Sequence, residues 1–497
     1  MLDAYCWPQS GTAGDAIDLM VSGDTSRCTV LVVRVGAAEE PVLGPRSLGV
    51  PDQPVPDDVA VSGCGWEPTI TIEIDEAWRP GFHLVQLEAD DGDTAEAFFV
   101  VRRHASSPSA AVLVLSTSTW AAYNDWGGPN FYTGGHHSSQ LRPLPSGFLA
   151  KPDPERYRVA RFGQLAPDEI DWYFNHYSYW SAAAGWANWE RLFVNWAETN
   201  GLELDYATSL DLATDTELLD PYQVYLSVGH DEYWSAAMRD NVEGWVDRGG
   251  TAVFLSGNTA FWQVRFEAGG ARVVGYKNDY LDDPVVGTEA ERFVSTMWSD
   301  PLCRRPENEM TGVSFSRGGY AHMRGAPMGS GGYTVWRPEN PIFEGMKLRA
   351  GDQLGAEPVV VGYECDGCEL QLRDGRPVAT GTGGTPAGFE VLATAPAHLW
   401  ATDEAAPGLP DSYIGELNWV AERLGGGDTP ENRERFAYGH AVLGTFSRGR
   451  GRVFTTGCTD WAYGLQDPAV SRVTANMVNH VGPPLVPTRR QTEDSAP

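Results

Sequence analysis

Over the first hundred residues, apolar and polar positions alternate in short runs at residues 16–21, 29–33, 69–74, 82–87 and 98–101, separated by clusters of Gly, Pro and Asp. A period of two at this spacing predicts an antiparallel β-sandwich, expected to serve packing or oligomerisation because no cluster of chemically active side chains falls within it. Residues 102–108 read as a polar linker. Residues 111–115 (Ala-Val-Leu-Val-Leu) then form a continuous apolar run, the pattern of a strand covered on both faces.

The stretch from Ser116 to about Asn188 is long, aromatic and rich in Gly and Pro, and a connection of this length is usually functional. Its aromatic residues are equally expected to pack the loop down as a satellite core. Regular alternation follows: a helix over 189–198, a strand over 202–207, a short helix over 214–219, a strand over 224–228, a helix capped by Ser235 and stopped by Gly249-Gly250, and a strand over 251–256. Repeated right-handed βαβ units imply a doubly wound, mostly parallel α/β domain. Between about 285 and 440 the pattern loosens, and it resumes with a strand near 453 and a helix over 467–480. The expected organisation is a multidomain α/β chain. Residues 1–104 form the β-sandwich, 105–485 the catalytic-like domain with irregular insertions over about 285–440, and 486–497 a disordered tail.

A chain of 497 residues is long enough for two or three cores, which agrees with this division. Its formal net charge of −31 repels phosphate backbones and anionic lipid, so neither nucleic acid nor membrane is an expected partner. No apolar run reaches eighteen residues and the amino terminus lacks signal-peptide features, so a cytoplasmic location is expected. The seven cysteines are odd in number and scattered, which predicts reduced thiols.

The most concentrated chemistry lies where the 224–228 strand ends, in Gly229-His230-Asp231-Glu232-Tyr233-Trp234. In an open α/β sheet, ligands bind beyond the carboxyl ends of the strands. There Tyr123, His230, Glu232 and Asn258 would converge from three strand ends. A carboxylate with a phenolate suits a hard cation, His230 can shuttle a proton, and Asn258 can hold a carbonyl. Alternatively, Asp231 or Glu232 caps the following helix while His230 bonds a loop carbonyl. Glu364 is either a third acid of the site or a solvated turn residue. Three further features promise less. Cys365 and Cys368 form a single CxxC best read as a hairpin turn, the glycine-rich 381–388 lacks the Lys-Ser/Thr of a phosphate loop, and Cys458 reads as a buried thiol.

At these residues the chain resembles the N,N-dimethylformamidase large (beta) subunit, C-terminal-domain family. The matching stretches are residues 119–128, 204–208, 229–235, 257–265, Tyr276-Lys277 and 459–461, with 80–102 similar to the end of the preceding β domain. The resemblance implies a class I glutamine amidotransferase-like α/β domain and a mononuclear iron held by two tyrosines and one glutamate. It further implies hydrolysis of a small amide C–N bond. On this sequence Glu232 and Tyr123 would be metal ligands, with His230, Asn258 and Glu364 as catalytic neighbours. The second tyrosine is expected after an Arg-Pro pair, but Arg142-Pro143 is followed by Leu144, which leaves Tyr132, Tyr157 or Tyr177 as substitutes. The family's small subunit has no counterpart in this chain, so a monomer or homo-oligomer is expected. Two competing expectations are a non-catalytic ligand-binding protein, whose aromatic loop holds a sugar or peptide, and a hydrolase using Cys458.

Overall fold

A computed structural model describes residues 1–103, 109–323, 329–403, 416–480 and 485–486. Part of the 102–108 linker and nearly all of the 486–497 tail therefore lie outside the described residues. The molecule is a mixed α/β structure with several sheets and, among the described residues, no barrel.

In the amino-terminal part, a three-stranded antiparallel sheet (Leu2–Trp7, Ala16–Gly23, Ile70–Glu73) faces a five-stranded one. The second sheet runs Ser10–Gly11, Thr94–Val101, Gly81–Ala89, Arg27–Val35, Glu39–Gly49. Alternate residues of both, among them Ile17, Leu19 and Val21 from one and Val30, Val32, Val85 and Phe99 from the other, share one core. All five strands read from the alternation are present. Glu39–Gly49 is not foreshadowed because it is a mostly exposed edge strand carrying Pro41 and Pro45, residues that only an edge tolerates.

The large sheet begins with five parallel strands in the spatial order Leu204–Thr208, Ala111–Leu115, Val224–His230, Thr251–Gly257, Gly451–Thr455. In chain order this is second, first, third, fourth, fifth, so the direction of winding reverses between the first and third strands. Leu113 and Leu115 face a core shared with the helices Glu190–Thr199 and Pro468–Val478. Val112 and Val114 face the opposite core, with Met238, Val242 and Trp245 of the helix Ala236–Asp247. Both faces are thus covered, as the unbroken apolar run requires.

Two expectations need correction. The sheet is mixed rather than mostly parallel, because Tyr438–Arg448, Glu390–His398, Ser314–Tyr320 and Glu364–Gly367 continue it antiparallel beyond Gly451–Thr455. These strands come largely from the stretch read as irregular insertion. Ser314–Tyr320 and Glu364–Gly367 are short and contain glycine, so they show little alternation. The helix expected at 214–219 lies at Ser209–Thr214, directly after its strand. A capping box sets that start: Thr208 Oγ1 accepts from the Asp211 amide, and the Asp211 carboxylate accepts from the Thr208 amide. Among the described residues no helix is long and apolar enough to cross a membrane.

Candidate active site

The site lies at the carboxyl ends of the first and third parallel strands, where the winding reverses and an open crevice is expected. After Ala111–Leu115 the chain turns into the buried helix Thr117–Tyr123, which sets Tyr123 at its last residue. Val224–His230 ends on His230, with Glu232 two residues on. The two ends are stitched together: Thr119 Oγ1 accepts from the amides of Glu232 (3.0 Å) and Tyr233 (3.3 Å), and Ser118 Oγ donates to the Tyr233 carbonyl. Gly229 has φ +82°, and a Cβ there would lie 2.4 Å from Cβ of Trp189, so only glycine fits before His230. Asn258 follows the fourth parallel strand in the left-handed region, φ 51°, which asparagine tolerates. The Asp366 carboxylate fixes it by accepting from the amides of Asn258 and Thr259 at 2.9 and 3.0 Å.

The oxygens converge. Tyr123 Oη lies 2.9 Å from Glu232 Oε2, and Tyr132 Oη lies 2.9 and 3.0 Å from the two oxygens of the same carboxylate. The two phenol oxygens are 2.7 Å apart, and Tyr233 donates to Tyr132 at 2.9 Å. Beside them, His230 Nδ1 donates to the Ala183 carbonyl at 2.8 Å, which leaves Nε2 toward Glu364 Oε2 at 2.7 Å and Glu232 Oε2 at 3.3 Å. Asn258 Nδ2 donates to the same Glu364 oxygen at 3.1 Å. Tyr123, His230, Glu232, Asn258 and Glu364 are each at most 4% exposed. Four of these five line a cavity of about 470 Å³, and the ring of Tyr123's neighbour Tyr132 forms part of the same wall.

Burial shapes the electrostatics. It holds the phenols of Tyr123 and Tyr132 well above their ordinary range, and the Glu232 charge adds to that. Burial also raises the Glu232 carboxyl, against the opposing pull of His230. At His230 burial disfavours the charged ring, but the Glu364 carboxylate outweighs it and lifts the imidazolium to about 9. A further cation is present: the Lys277 ammonium sits 3.3 Å over the Tyr132 ring.

All five residues named from the sequence are therefore in one site, and of the candidate second tyrosines only Tyr132 joins them. Tyr157 packs on Trp172 and Tyr173, and Tyr177 on the same two rings. Leu144 is a partly buried residue packed on the core, while the Arg142 guanidinium braces the loop by donating to the carbonyls of Asn124, Trp126 and Ser139. Two residues were missed, Tyr233 and Lys277. Both stand inside the matching stretches, but nothing local shows which way they point.

Two phenol oxygens and a carboxylate, mutually within hydrogen-bonding distance at a cavity wall, are a donor set that fits a hard, oxygen-seeking cation. The other candidates do not come to the site as reactive groups. Cys458 is fully buried, which pushes its thiol to about 12, and burial raises Cys365 and Cys368 as well. Thr382–Gly384 is a short surface turn.

Comparison with known proteins gives a consistent set of relatives. The family described as N,N-dimethylformamidase beta subunit-like, C-terminal, matches residues 29–476. The N,N-dimethylformamidase beta subunit of an Alcaligenes species is 24% identical over 465 residues, covering 84% of this chain and 54% of that protein. The protein of the same name from Paracoccus aminophilus is 22% identical over 459 residues, with the same coverage. The chain thus spans about half the length of the curated relatives it matches. Among solved structures, a superoxide reductase (neelaredoxin) from Ignicoccus hospitalis aligns with 21% of this chain and 80% of its own at 13% identity and a TM-score of 0.14, too slight to carry an argument.

Proposed function

Because the chain belongs to the N,N-dimethylformamidase beta subunit-like, C-terminal family, we propose that it is a metal-dependent hydrolase of amide C–N bonds. The observation that carries this reading is the meeting of Tyr123, Tyr132 and Glu232 oxygens within 3.0 Å of one another at the cavity wall. Tyr123, Tyr132 and Glu232 would hold a mononuclear iron. When bound, the ion supplies Lewis acidity toward a carbonyl and lowers the pKa of water.

The protein's own groups supply the rest. Glu364, with one oxygen engaged by His230 and Asn258, can take a proton at its other oxygen. His230 Nε2 lies between two carboxylates and can pass a proton through Glu364, which lines the cavity, to a departing amine. Asn258 orients the amide. Thr119 holds Glu232 and Tyr123 at a fixed separation through the loop it binds. On this reading the two facing amino-terminal sheets form a β-sandwich domain over about 1–104, and the remainder a class I glutamine amidotransferase-like domain.

The test is elemental analysis and a visible spectrum of purified protein, followed by amine release from an amide. Stoichiometric iron with an iron-phenolate band and turnover support the hydrolase. A fully folded, metal-free protein that binds amides without turnover supports a ligand-binding protein instead.

A further inference from the structure

The shape and unmet hydrogen bonding of the cavity bear on which amide it takes, a question that rests on the hydrolase reading. At roughly 30 Å³ for a water-sized group, an amide of about five non-hydrogen atoms would occupy about a third of the 470 Å³ available. The remaining space is bounded by rings in successive contact, two of them exposed, that reach to the donor oxygens. Phe174, 41% exposed, stacks on Tyr179 at 5.5 Å between centroids; Tyr179 meets Trp180 edge-on at 4.9 Å; Trp180 stacks on Tyr132 at 5.1 Å. Phe261 and Phe315 line the same cavity. Large aromatic side chains left at the mouth of a cavity keep apolar surface in water unless a ligand covers it.

The second observation is independent of size. Asn258 Nδ2 donates to the Glu364 carboxylate, which settles the orientation of the amide group, because a carboxylate oxygen cannot face Oδ1. Asn258 Oδ1 is then a buried acceptor without a hydrogen-bond partner, on a residue that lines the cavity and is 3% exposed. A buried acceptor is left unmet at a cost; an N–H or O–H donor satisfies it, and the donor that an amide substrate can bring is its own N–H. A tertiary amide such as N,N-dimethylformamide has none.

We propose that the cavity takes a secondary amide bearing an aromatic ring, the amide N–H donated to Asn258 Oδ1 and the ring laid along Trp180, Tyr179 and Phe174. Specificity then comes from two separable sources, ring stacking along one wall and a single acceptor beside the reacting carbonyl.

Three probes on the purified full chain separate them: N-benzylformamide, N-benzyl-N-methylformamide and N,N-dimethylformamide. For each, kcat/KM is taken from amine release and Kd from calorimetry. The benzyl secondary amide is expected to exceed its N-methyl counterpart by about tenfold to a hundredfold in kcat/KM, and that compound to exceed dimethylformamide by at least about tenfold. Phe174→Ala, a change at a part-exposed ring, is expected to weaken N-benzylformamide binding several-fold. Dimethylformamide turned over as well as N-benzylformamide overturns the proposal and leaves the hydrolase reading intact. Equal binding and turnover of the two benzyl amides overturns the role of Asn258. Selective binding of N-benzylformamide with no turnover of any amide supports the ligand class and defeats the hydrolase reading. Absence of both binding and turnover overturns the two together.

Discussion

Tyr132 Oη bridges both oxygens of Glu232, at 2.9 and 3.0 Å, and is the second phenol of the proposed ligand set. Tyr132→Phe removes that oxygen while keeping the ring that stacks on Trp180. Iron content is expected to fall well below stoichiometric and amide turnover by at least about a hundredfold, with the far-ultraviolet spectrum unchanged. Leu144→Met is expected to retain both metal and activity. Full iron loading in Tyr132→Phe would sink the proposed ligand set.

The pairing of His230 with Glu364 at 2.7 Å suggests a proton relay separate from metal binding. Glu364→Gln and His230→Gln are each expected to lower kcat by about a hundredfold to ten-thousandfold while iron stays bound. Steady-state kinetics with metal analysis on the same preparations decide it. Turnover within threefold of the parent protein would remove both residues from the mechanism.

Gly229 precedes His230 with φ +82° and has the Trp189 side chain where a Cβ would go. Gly229→Ala combines left-handed strain of about 1–2 kcal/mol with overpacking of about 1–3 kcal/mol. Chemical denaturation is expected to report a loss of about 2–5 kcal/mol, or an insoluble protein. A change below about 0.5 kcal/mol would show that the strand end relaxes freely.

Glu190, at the first turn of its helix, is fully buried, and burial lifts its carboxyl from 4.5 to about 8. Between those values the unfolded chain has released this proton while the folded chain retains it. The group's contribution to stability is therefore present at low pH and is lost as pH rises from about 4.5 to about 8, with a slope of up to about 1.4 kcal/mol per pH unit. Glu190→Gln is expected to remove this slope and to be relatively more stable at pH 8 than at pH 5. Denaturation midpoints across that range check it, and parallel curves for the two proteins would contradict it.

Much of this protein is determined by short-range pattern. Period-two alternation marks the strands of the amino-terminal sheets, the unbroken run at Ala111–Leu115 marks a strand buried on both faces, and Ser235 marks a helix start. Tyr123, His230, Glu232 and Asn258 are legible as candidate site residues because each lies at or beyond a strand end, and in a parallel sheet strand ends share one edge. Glu364 was legible only as one of two alternatives, since its strand lies in a stretch without clear alternation.

Tertiary structure alone decided the rest. Tyr132, Tyr157 and Tyr177 are equivalent as residues in one long aromatic connection, and only its path across the sheet edge brings the first to Glu232 while the other two pack around Tyr173. The four antiparallel strands and the placement of Lys277 over Tyr132 are likewise products of long-range packing. The physical reason is one of range: periodicity, caps and turn residues act over a few neighbours, whereas the company a side chain keeps across a sheet edge depends on loop paths fixed by burial elsewhere in the chain.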